Sequence, residues 1–198
     1  MGAGILPTAL HKGKIWFLFG KENQFMPGFS DFGGGTEMGE SPLDTAIREG
    51  GEELTGFLGS DEELRQKLAK SGTYTIEEPK TKYRTHLLRM EYDPHLEKYY
   101  NNNQQFIQSH LPASVIRGSR IFEKEEIRWV CIDDIPKMMP KFRYFFTDIA
   151  KQILEQKGEI RAFLRSGKKT KTKSKNRSKS KSNKKKGKWK TRKNTNRL

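Results

Sequence analysis

The sequence predicts an α+β domain in which helices are layered against a sheet. Its candidate elements follow the order strands, helix, strands, helix, which favours an α+β or α/β/α layered domain. Apolar residues alternate in some segments and recur about every 3.6 residues in others, as expected for strands and helices respectively. With 198 residues, the chain is long enough for one domain with its own hydrophobic core.

The candidate strands are rich in aromatic and β-branched residues. The run IWFLF at 15–19 ends at Gly20, and the run IRWVCI at 127–132 is followed by two acids and a proline, a composition and punctuation typical of strands. The predicted strands are therefore 4–10, 14–19 (which contains IWFLF), a short one around Phe29 and Phe32, 73–76, 83–92 and 127–132. The polar segment 93–118 has no periodicity that assigns it a structure.

The best-defined element is a helix that begins after Ser41. Ser41 is a favourable N-cap, Pro42 suits the first helical position, and Asp44 lies three residues after the cap, where a capping-box acid belongs. The pair Thr55-Gly56 is a stop signal because glycine adopts the left-handed backbone conformation readily.

The two faces of this helix differ in chemistry. Residues at helical spacing predict its buried face: Leu43, Ile47, Gly50 and Leu54. A rotation of about 100° per residue places Glu49, Glu52 and Glu53 on the opposite face. Clustered carboxylates repel one another, so a hard cation such as Mg²⁺ is the simplest partner that would hold them together. For these three acids alone, a merely solvated face is the alternative.

Two further helices are predicted. Segment 60–70 opens with three acids and is followed by Ser71-Gly72, a typical helix stop. Segment 142–164 reads as a closing helix, and its expected inner stripe is Phe145, Ile149, Ile153 and Ile160.

The charge of the chain is concentrated at its end. The net charge is +15, yet residues 1–165 hold 23 bases against 24 acids, and 166–198 hold sixteen bases and no acid. The prediction is a near-neutral domain at 1–165 followed by a disordered basic tail at 166–198. Three readings of the tail stay open: an RNA-binding arm, a nuclear-targeting run, or a solubilising segment. The candidate phosphate or RNA contacts are Lys184, Lys185, Lys186, Lys188, Lys190, Arg192 and Lys193.

Composition also bounds the compartment. A single cysteine, Cys131, excludes an intrachain disulfide and fits a reducing environment. The longest apolar runs are too short to span a bilayer, and the N-terminal segment lacks the pattern of a signal peptide. We therefore expect an intracellular, soluble protein, cytoplasmic or nuclear, without a membrane partner.

Segment 34–56 carries a characteristic set of spaced residues: Gly34, Glu40, Arg48-Glu49 and Glu52-Glu53. With this spacing the segment resembles the box of the Nudix hydrolases, G-x5-E-x7-R-E-U-x-E-E-x-G-U, in which U is bulky and apolar. All box acids and the arginine are present. The departures come at Gly50, which replaces an apolar residue, and at Thr55 and Gly56, which replace the final glycine and apolar residue.

The resemblance implies a Nudix fold with a mixed sheet between helices and a pyrophosphohydrolase that requires Mg²⁺ or Mn²⁺. It implies that Glu49, Glu52 and Glu53 bind the metal, that Arg48 orients them, and that a glutamate in a late loop accepts the proton of the attacking water. Glu123 is the preferred candidate for this base. Glu125 and Glu126 are its alternates, while Gly34 and Glu40 support the site.

The implied substrate is a nucleoside diphosphate linked to another group. The basic tail favours the 5′ cap or 5′ pyrophosphate of RNA, as in the mRNA-decapping members of the family. The alternatives are a small-molecule Nudix hydrolase that acts on a nucleotide sugar, a dinucleoside polyphosphate or a diphosphoinositol phosphate, and a non-catalytic RNA-binding module on the same fold.

Overall fold

A computed structural model describes residues 1–22, 28–118 and 123–166. Its strands are β1 (Gly2–His11), β2 (Lys14–Glu22), β3 (Phe29–Ser30), β4 (Phe32–Gly35), β5 (Tyr74–Glu78), β6 (Tyr83–Arg89) and β7 (Lys124–Cys131). They form one sheet in the order β3-β2-β1-β6-β5, with β4 also paired to β1 and β7 also paired to β2. Because β1 and β6 are parallel and the other pairs are antiparallel, the sheet is mixed.

Helices cover both faces of this sheet. They are α1 (Pro42–Glu53), α2 (Asp61–Ser71), α3 (Pro94–His110), α4 (Ala113–Gly118), α5 (Ile135–Met138), α6 (Phe146–Glu155) and α7 (Lys157–Ser166). Apolar side chains of α1, α2 and α3 share one core cluster with one face, and those of α5, α6 and α7 share a second cluster with the other. This arrangement confirms the predicted α/β/α layering. Among the described residues, no helix is both long and apolar enough to cross a bilayer.

Segment 93–118, which had no predicted structure, is largely helical. Asp93 caps α3 by accepting a hydrogen bond from the backbone N–H of His95 at 2.8 Å, and Pro94 occupies the first turn. The helix buries Leu96, Tyr100 and Gln104 among many polar side chains. Such a sparse apolar stripe gives little periodic signal, so the sequence pattern alone did not reveal the helix.

The predicted closing helix is interrupted. The chain turns at Gln156, between α6 and α7, and the side chain of Gln156 accepts a hydrogen bond from the Tyr74 hydroxyl at 2.8 Å. Ile149, Ile153 and Ile160 are fully buried as predicted. Phe145 is only partly buried because it lies just before α6, whose first residue, the neighbouring phenylalanine, takes the core position instead.

Candidate active site

The cap of α1 forms as the sequence predicts. The backbone N–H of Asp44 donates to Ser41 Oγ at 3.2 Å, and the N–H of Ser41 donates to Asp44 Oδ2 at 3.3 Å. These reciprocal bonds satisfy two backbone donors that the helix itself leaves unpaired. The cap fixes where α1 begins, and therefore which way each later side chain of the box points.

The glycines of α1 allow close packing. A Cβ added at Gly50 would lie 3.1 Å from Cδ1 of Ile5 on β1, so helix and sheet approach closely at this glycine. A Cβ at Gly51 would contact the carboxylate of Asp61, so the start of α2 occupies that side. The helix ends at Glu53, and Thr55 and Gly56 both have positive φ angles, 49° and 76°. The predicted left-handed stop at Gly56 is thus confirmed.

Arg48 and Glu40 form the outer part of the box. Arg48 Nε donates to Glu40 Oε1 at 2.7 Å, and its terminal NH2 group donates to the backbone oxygen of Gly35 at 3.0 Å. Glu40 also accepts from the hydroxyl of Thr45 at 2.9 Å and from the N–H of Glu37 at 3.0 Å. These hydrogen bonds, chiefly the one from Arg48, lower the pKa of Glu40 to about 2. Both oxygens of Glu40 are therefore already partnered.

Glu49 is held against the end of β4. Arg48 NH1 donates to Glu49 Oε1 at 2.7 Å, and a Cβ at Gly34 would lie 2.6 Å from the carboxyl carbon of Glu49. Any larger residue at 34 would therefore displace this carboxylate. Glycine at position 34 therefore leaves room for the Glu49 carboxylate, and the predicted supporting role of Gly34 stays a prediction.

Glu53 lies in a different environment, although it belongs to the same helix. Its side chain is 3% exposed and lies 3.3 Å from the ammonium group of Lys124, which is fully buried. Burial raises the pKa of Glu53 to about 8, even though Lys124 opposes this shift. Its second oxygen, Oε2, is buried and has no hydrogen-bond partner among the described residues.

Lys124 is the buried cation of the site. Besides Glu53, it pairs with Glu22 and donates to Ser30 Oγ at 3.2 Å. Burial alone would lower the pKa of Lys124, but the two carboxylates outweigh it and the pKa is raised. Lys124 therefore stays charged and compensates part of the negative charge that the box brings into the interior.

Glu123, the residue before Lys124, completes the cluster. Ligand oxygens of Glu49, Glu53 and Glu123 all lie within 4.8 Å of one another. The two alternates for the catalytic base lie in other contacts, because Glu125 pairs with Lys21 and Glu126 pairs with Arg128. The structure thus brings together α1 and the start of β7, which are about seventy residues apart in sequence.

Glu52 differs from the other two box acids of α1. Its side chain is 36% exposed, and one of its oxygens lies 3.8 Å from Arg48 NH1. The expectation that all three acids face away from the core is wrong for Glu49 and Glu53, which are 8% and 2% exposed. Glu49 is packed against Gly34 of β4, and Glu53 against the buried Lys124 at the start of β7. The predicted metal-binding role of Glu52 stays a prediction.

Helix α3 fixes β7 beside α1. The hydroxyl of Tyr100 donates to the backbone oxygen of Glu53 at 2.8 Å and approaches that of Lys124 at 3.4 Å. Asn101 bonds both the N–H and the carbonyl of Ile127, at 2.8 and 3.0 Å. These side chains form hydrogen bonds with backbone groups along the outer edge of β7. They thereby hold the segment that carries Glu123 at a fixed distance from Glu53.

The donor set fits a hard divalent cation. It consists of carboxylate oxygens only, which suit Mg²⁺ or Mn²⁺ rather than a soft metal. The unpartnered Oε2 of Glu53 supplies the independent observation, because a buried carboxylate oxygen without a donor is costly unless a cation or a proton binds it. The predicted contacts of the basic tail, 184–193, lie outside the described residues.

The comparisons with known proteins found similarity to solved structures only. No protein-family model matches the chain, and no curated protein sequence does either. Among solved structures, the chain is similar to a binary complex of an Ap4A hydrolase from C. elegans, with a TM-score of 0.47 and 18% identity over 84% of this chain and 99% of that one.

Two other solved structures show a comparable degree of similarity. The Nudix hydrolase RenU from M. smegmatis has a TM-score of 0.43 and 15% identity, over 80% of this chain and 86% of its own. The NUDIX domain of Shewanella oneidensis NrtR, solved with ADP ribose, has a TM-score of 0.41 and 14% identity, over 80% and 86%. These three structures are what the chain is similar to.

Proposed function

We propose that this protein is a metal-dependent pyrophosphohydrolase of the Nudix type. The observation that carries the proposal is the meeting of Glu49, Glu53 and Glu123, together with the unpartnered buried oxygen of Glu53. A structural ion-pair network would have satisfied that oxygen, as the Glu40–Arg48 pair is satisfied. A site that binds a cation during function has a reason to leave it open.

The residues divide the work in the following way. Glu49 and Glu53 would hold Mg²⁺ or Mn²⁺, with Glu52 as a further ligand from the exposed side of α1. The bound metal would neutralise a diphosphate and lower the pKa of an attacking water. Glu123 accepts the proton of that water. Arg48 keeps Glu49 in position through the 2.7 Å bond and is itself held by Glu40 and the carbonyl of Gly35.

For the substrate, we propose a nucleoside diphosphate derivative, and within that class the 5′ cap or 5′ pyrophosphate of RNA. The preference for RNA rests on the sixteen bases and absent acids of 166–198, since such a segment supplies phosphate contacts without reading sequence. Nucleotide sugars, dinucleoside polyphosphates and diphosphoinositol phosphates are the alternative substrates. A non-catalytic RNA-binding module is the alternative outside enzymes.

A substrate panel tests the proposal. The full chain, Glu53→Gln and a chain truncated after Ser166 are each assayed with cap-labelled RNA, free cap analogue, nucleotide sugars and diadenosine polyphosphates, in Mg²⁺ and in Mn²⁺. We expect metal-dependent release of a nucleoside phosphate product by the wild type, no release by Glu53→Gln, and weaker, less salt-dependent RNA binding by the truncated chain.

Each part of the proposal has its own contrary result. Hydrolysis of no diphosphate substrate, with RNA binding retained, would support the binding module. Equal RNA affinity with and without 167–198 would remove the preference for RNA and leave the small-molecule substrates. Full activity of Glu53→Gln would refute the assigned carboxylate site.

A further inference from the structure

A cavity of 330 Å³ lies outside the carboxylate cluster, between the turn that joins β5 to β6 and the start of α6. Its walls combine two aromatic side chains with two lysines, two acids and two threonines: Tyr144, Phe145, Lys80, Lys151, Glu78, Asp148, Thr81 and Thr147. Sites for small ligands typically measure about 300–1,000 Å³ and combine apolar walls with a few polar groups. This cavity therefore has the size and the lining of a ligand site.

Tyr144 is the unusual member of this lining. Its side chain is 98% exposed, although it lies between two residues that are firmly held. The backbone N–H of Arg143 donates to the carbonyl of Phe29 at 3.0 Å, and the ring of Phe145 lies 5.2 Å from that of Tyr83. A ring displayed on an anchored backbone loses little conformational freedom when a flat group stacks on it.

Arg143 connects this segment to the carboxylate cluster. Its guanidinium lies 4.9 Å from the centre of the Phe145 ring and donates to Glu22 at 2.9 Å. Glu22 in turn pairs with Lys124, which pairs with Glu53. Only two shared ion-pair partners thus separate the residue next to Tyr144 from a proposed metal ligand.

A second chain of contacts links Phe145 to the same carboxylate cluster. The ring of Tyr83 packs on Phe145, and its hydroxyl donates to Asp31 at 3.0 Å. That hydroxyl also occupies the space where a Cβ at Gly33 would lie, directly before the glycine that supports Glu49. The cavity wall is thus tied to the cluster through both Glu53 and Glu49.

We propose that this cavity binds the nucleoside end of the substrate, with the base stacked on Tyr144. The proposal rests on the proposed function, because it assumes that the diphosphate lies at Glu49 and Glu53. Lys80 and Lys151 both pair with Asp148, at 3.2 and 2.8 Å, and their side chains are 82% and 58% exposed. Exposed pairs of this kind are weak, so a phosphate or a ribose hydroxyl can replace Asp148 as their partner.

A stacked base is favoured over an apolar ligand by the charges around the ring. The cavity that Tyr144 lines also holds Lys80 and Lys151, opposed by Asp148 and Glu78, and Arg143 precedes the tyrosine in sequence. A base with an attached phosphate can stack on the ring and pair with the cations at the same time, whereas an uncharged apolar ligand could only stack on the ring. RNA ends and dinucleoside polyphosphates share this chemistry, so the test must separate them.

The test measures binding without turnover. The probes are ADP and GDP, titrated into the full chain and into Tyr144→Ala, Tyr144→Phe and Tyr99→Ala, with Mn²⁺ affinity measured on each variant. Tyr99 is a matched control because it is also an exposed tyrosine, 60% accessible, on the distant helix α3. We expect Tyr144→Ala to weaken nucleotide binding about tenfold, and Tyr144→Phe and Tyr99→Ala to bind as the wild type does. Mn²⁺ affinity should be the same in all four.

Equal affinity of Tyr144→Ala and the wild type for both nucleotides would overturn the subsite, whatever the hydrolysis assays show. Equal loss in Tyr99→Ala and Tyr144→Ala would also overturn it, because the effect would not depend on place. An absence of hydrolysis with the nucleotide effect intact would instead count against the proposed function alone. A KM raised by Tyr144→Ala for both capped RNA and diadenosine polyphosphate assigns the subsite to the shared nucleoside; a rise for one of them identifies the source.

Discussion

The carboxylates at the two ends of the Nudix-like box, Glu40 just before α1 and Glu53 at its last residue, lie in opposite environments. At the start, Glu40 accepts hydrogen bonds from Arg48, Thr45 and a backbone N–H, and its pKa falls to about 2. At the end, Glu53 is buried against Lys124 with one oxygen unpartnered, and its pKa rises to about 8. Both oxygens of Glu40 have hydrogen-bond donors, whereas one oxygen of Glu53 has none among the described residues.

This difference has opposite consequences for stability in acid. Because the folded pKa of Glu40 is lowered from 4.5, its contribution to stability is present above pH 4.5 and is lost as the pH falls towards 2. Because the folded pKa of Glu53 is raised from 4.5, its contribution is present below pH 4.5 and is lost as the pH rises towards 8. The comparison teaches that position in the box does not decide a residue's role; its surroundings do.

Removing the buried cation should have the largest effect. Lys124→Met leaves the buried Glu53 without its ammonium partner and leaves Glu22 with Arg143 alone, and breaking a buried ion pair in this way costs about 3–5 kcal/mol. Denaturant unfolding of the metal-free protein above pH 8, where both Glu53 and Lys124 are charged, measures the change. The exposed Lys137→Met, whose pair with Asp134 is 81% and 53% accessible, is the control and should be nearly neutral. Equal stability of Lys124→Met and the wild type would contradict a buried charge pair.

Glu123→Gln separates two roles at the inner end. If Glu123 accepts the proton from water, turnover should fall about 100-fold or more while Mn²⁺ affinity changes little. Glu125→Gln, which removes a partner of Lys21 two residues away, serves as the control. A loss of Mn²⁺ affinity as large as the loss of turnover would make Glu123 a metal ligand and leave the base unassigned.

Arg48→Lys should have a smaller effect, confined to activity. A lysine keeps the charge but cannot bond Glu40, Glu49 and the carbonyl of Gly35 at once. Residues that orient a metal ligand typically contribute about 10–100-fold, so we expect a loss of turnover in that range with unfolding little changed. A destabilisation as large as that of Lys124→Met would remove the contrast between the two ends of the helix.

The sequence predicted the features whose residues lie close together along the chain, and it missed those whose residues lie far apart along it. The cap at Ser41, the Glu40–Arg48 pair and the order of the box acids come from one continuous segment, so spacing along the chain reveals them. Lys124 has no such signal. It follows Glu123 among other charged residues, and only the pairing of β7 with β2 and the packing of α3 show that it is buried.

Tyr100 was missed for a related reason. It lies in the polar segment 93–118, and its role depends on the 2.8 Å bond to the backbone of Glu53, almost fifty residues earlier in the chain. Local patterns predict helices and caps, because these depend on neighbours in sequence. They do not predict which distant backbone a hydroxyl will meet.

The pH dependence of Mn²⁺ affinity is the most direct test of the central claim, that Glu53 is a buried metal ligand. A proton and the metal compete for the same carboxylate, so affinity should rise about tenfold per pH unit below pH 8 and level off above it. In Glu53→Gln the affinity should be at least about 100-fold weaker and the rise should disappear. Wild-type affinity in Glu53→Gln, with an unchanged pH profile, would contradict the account.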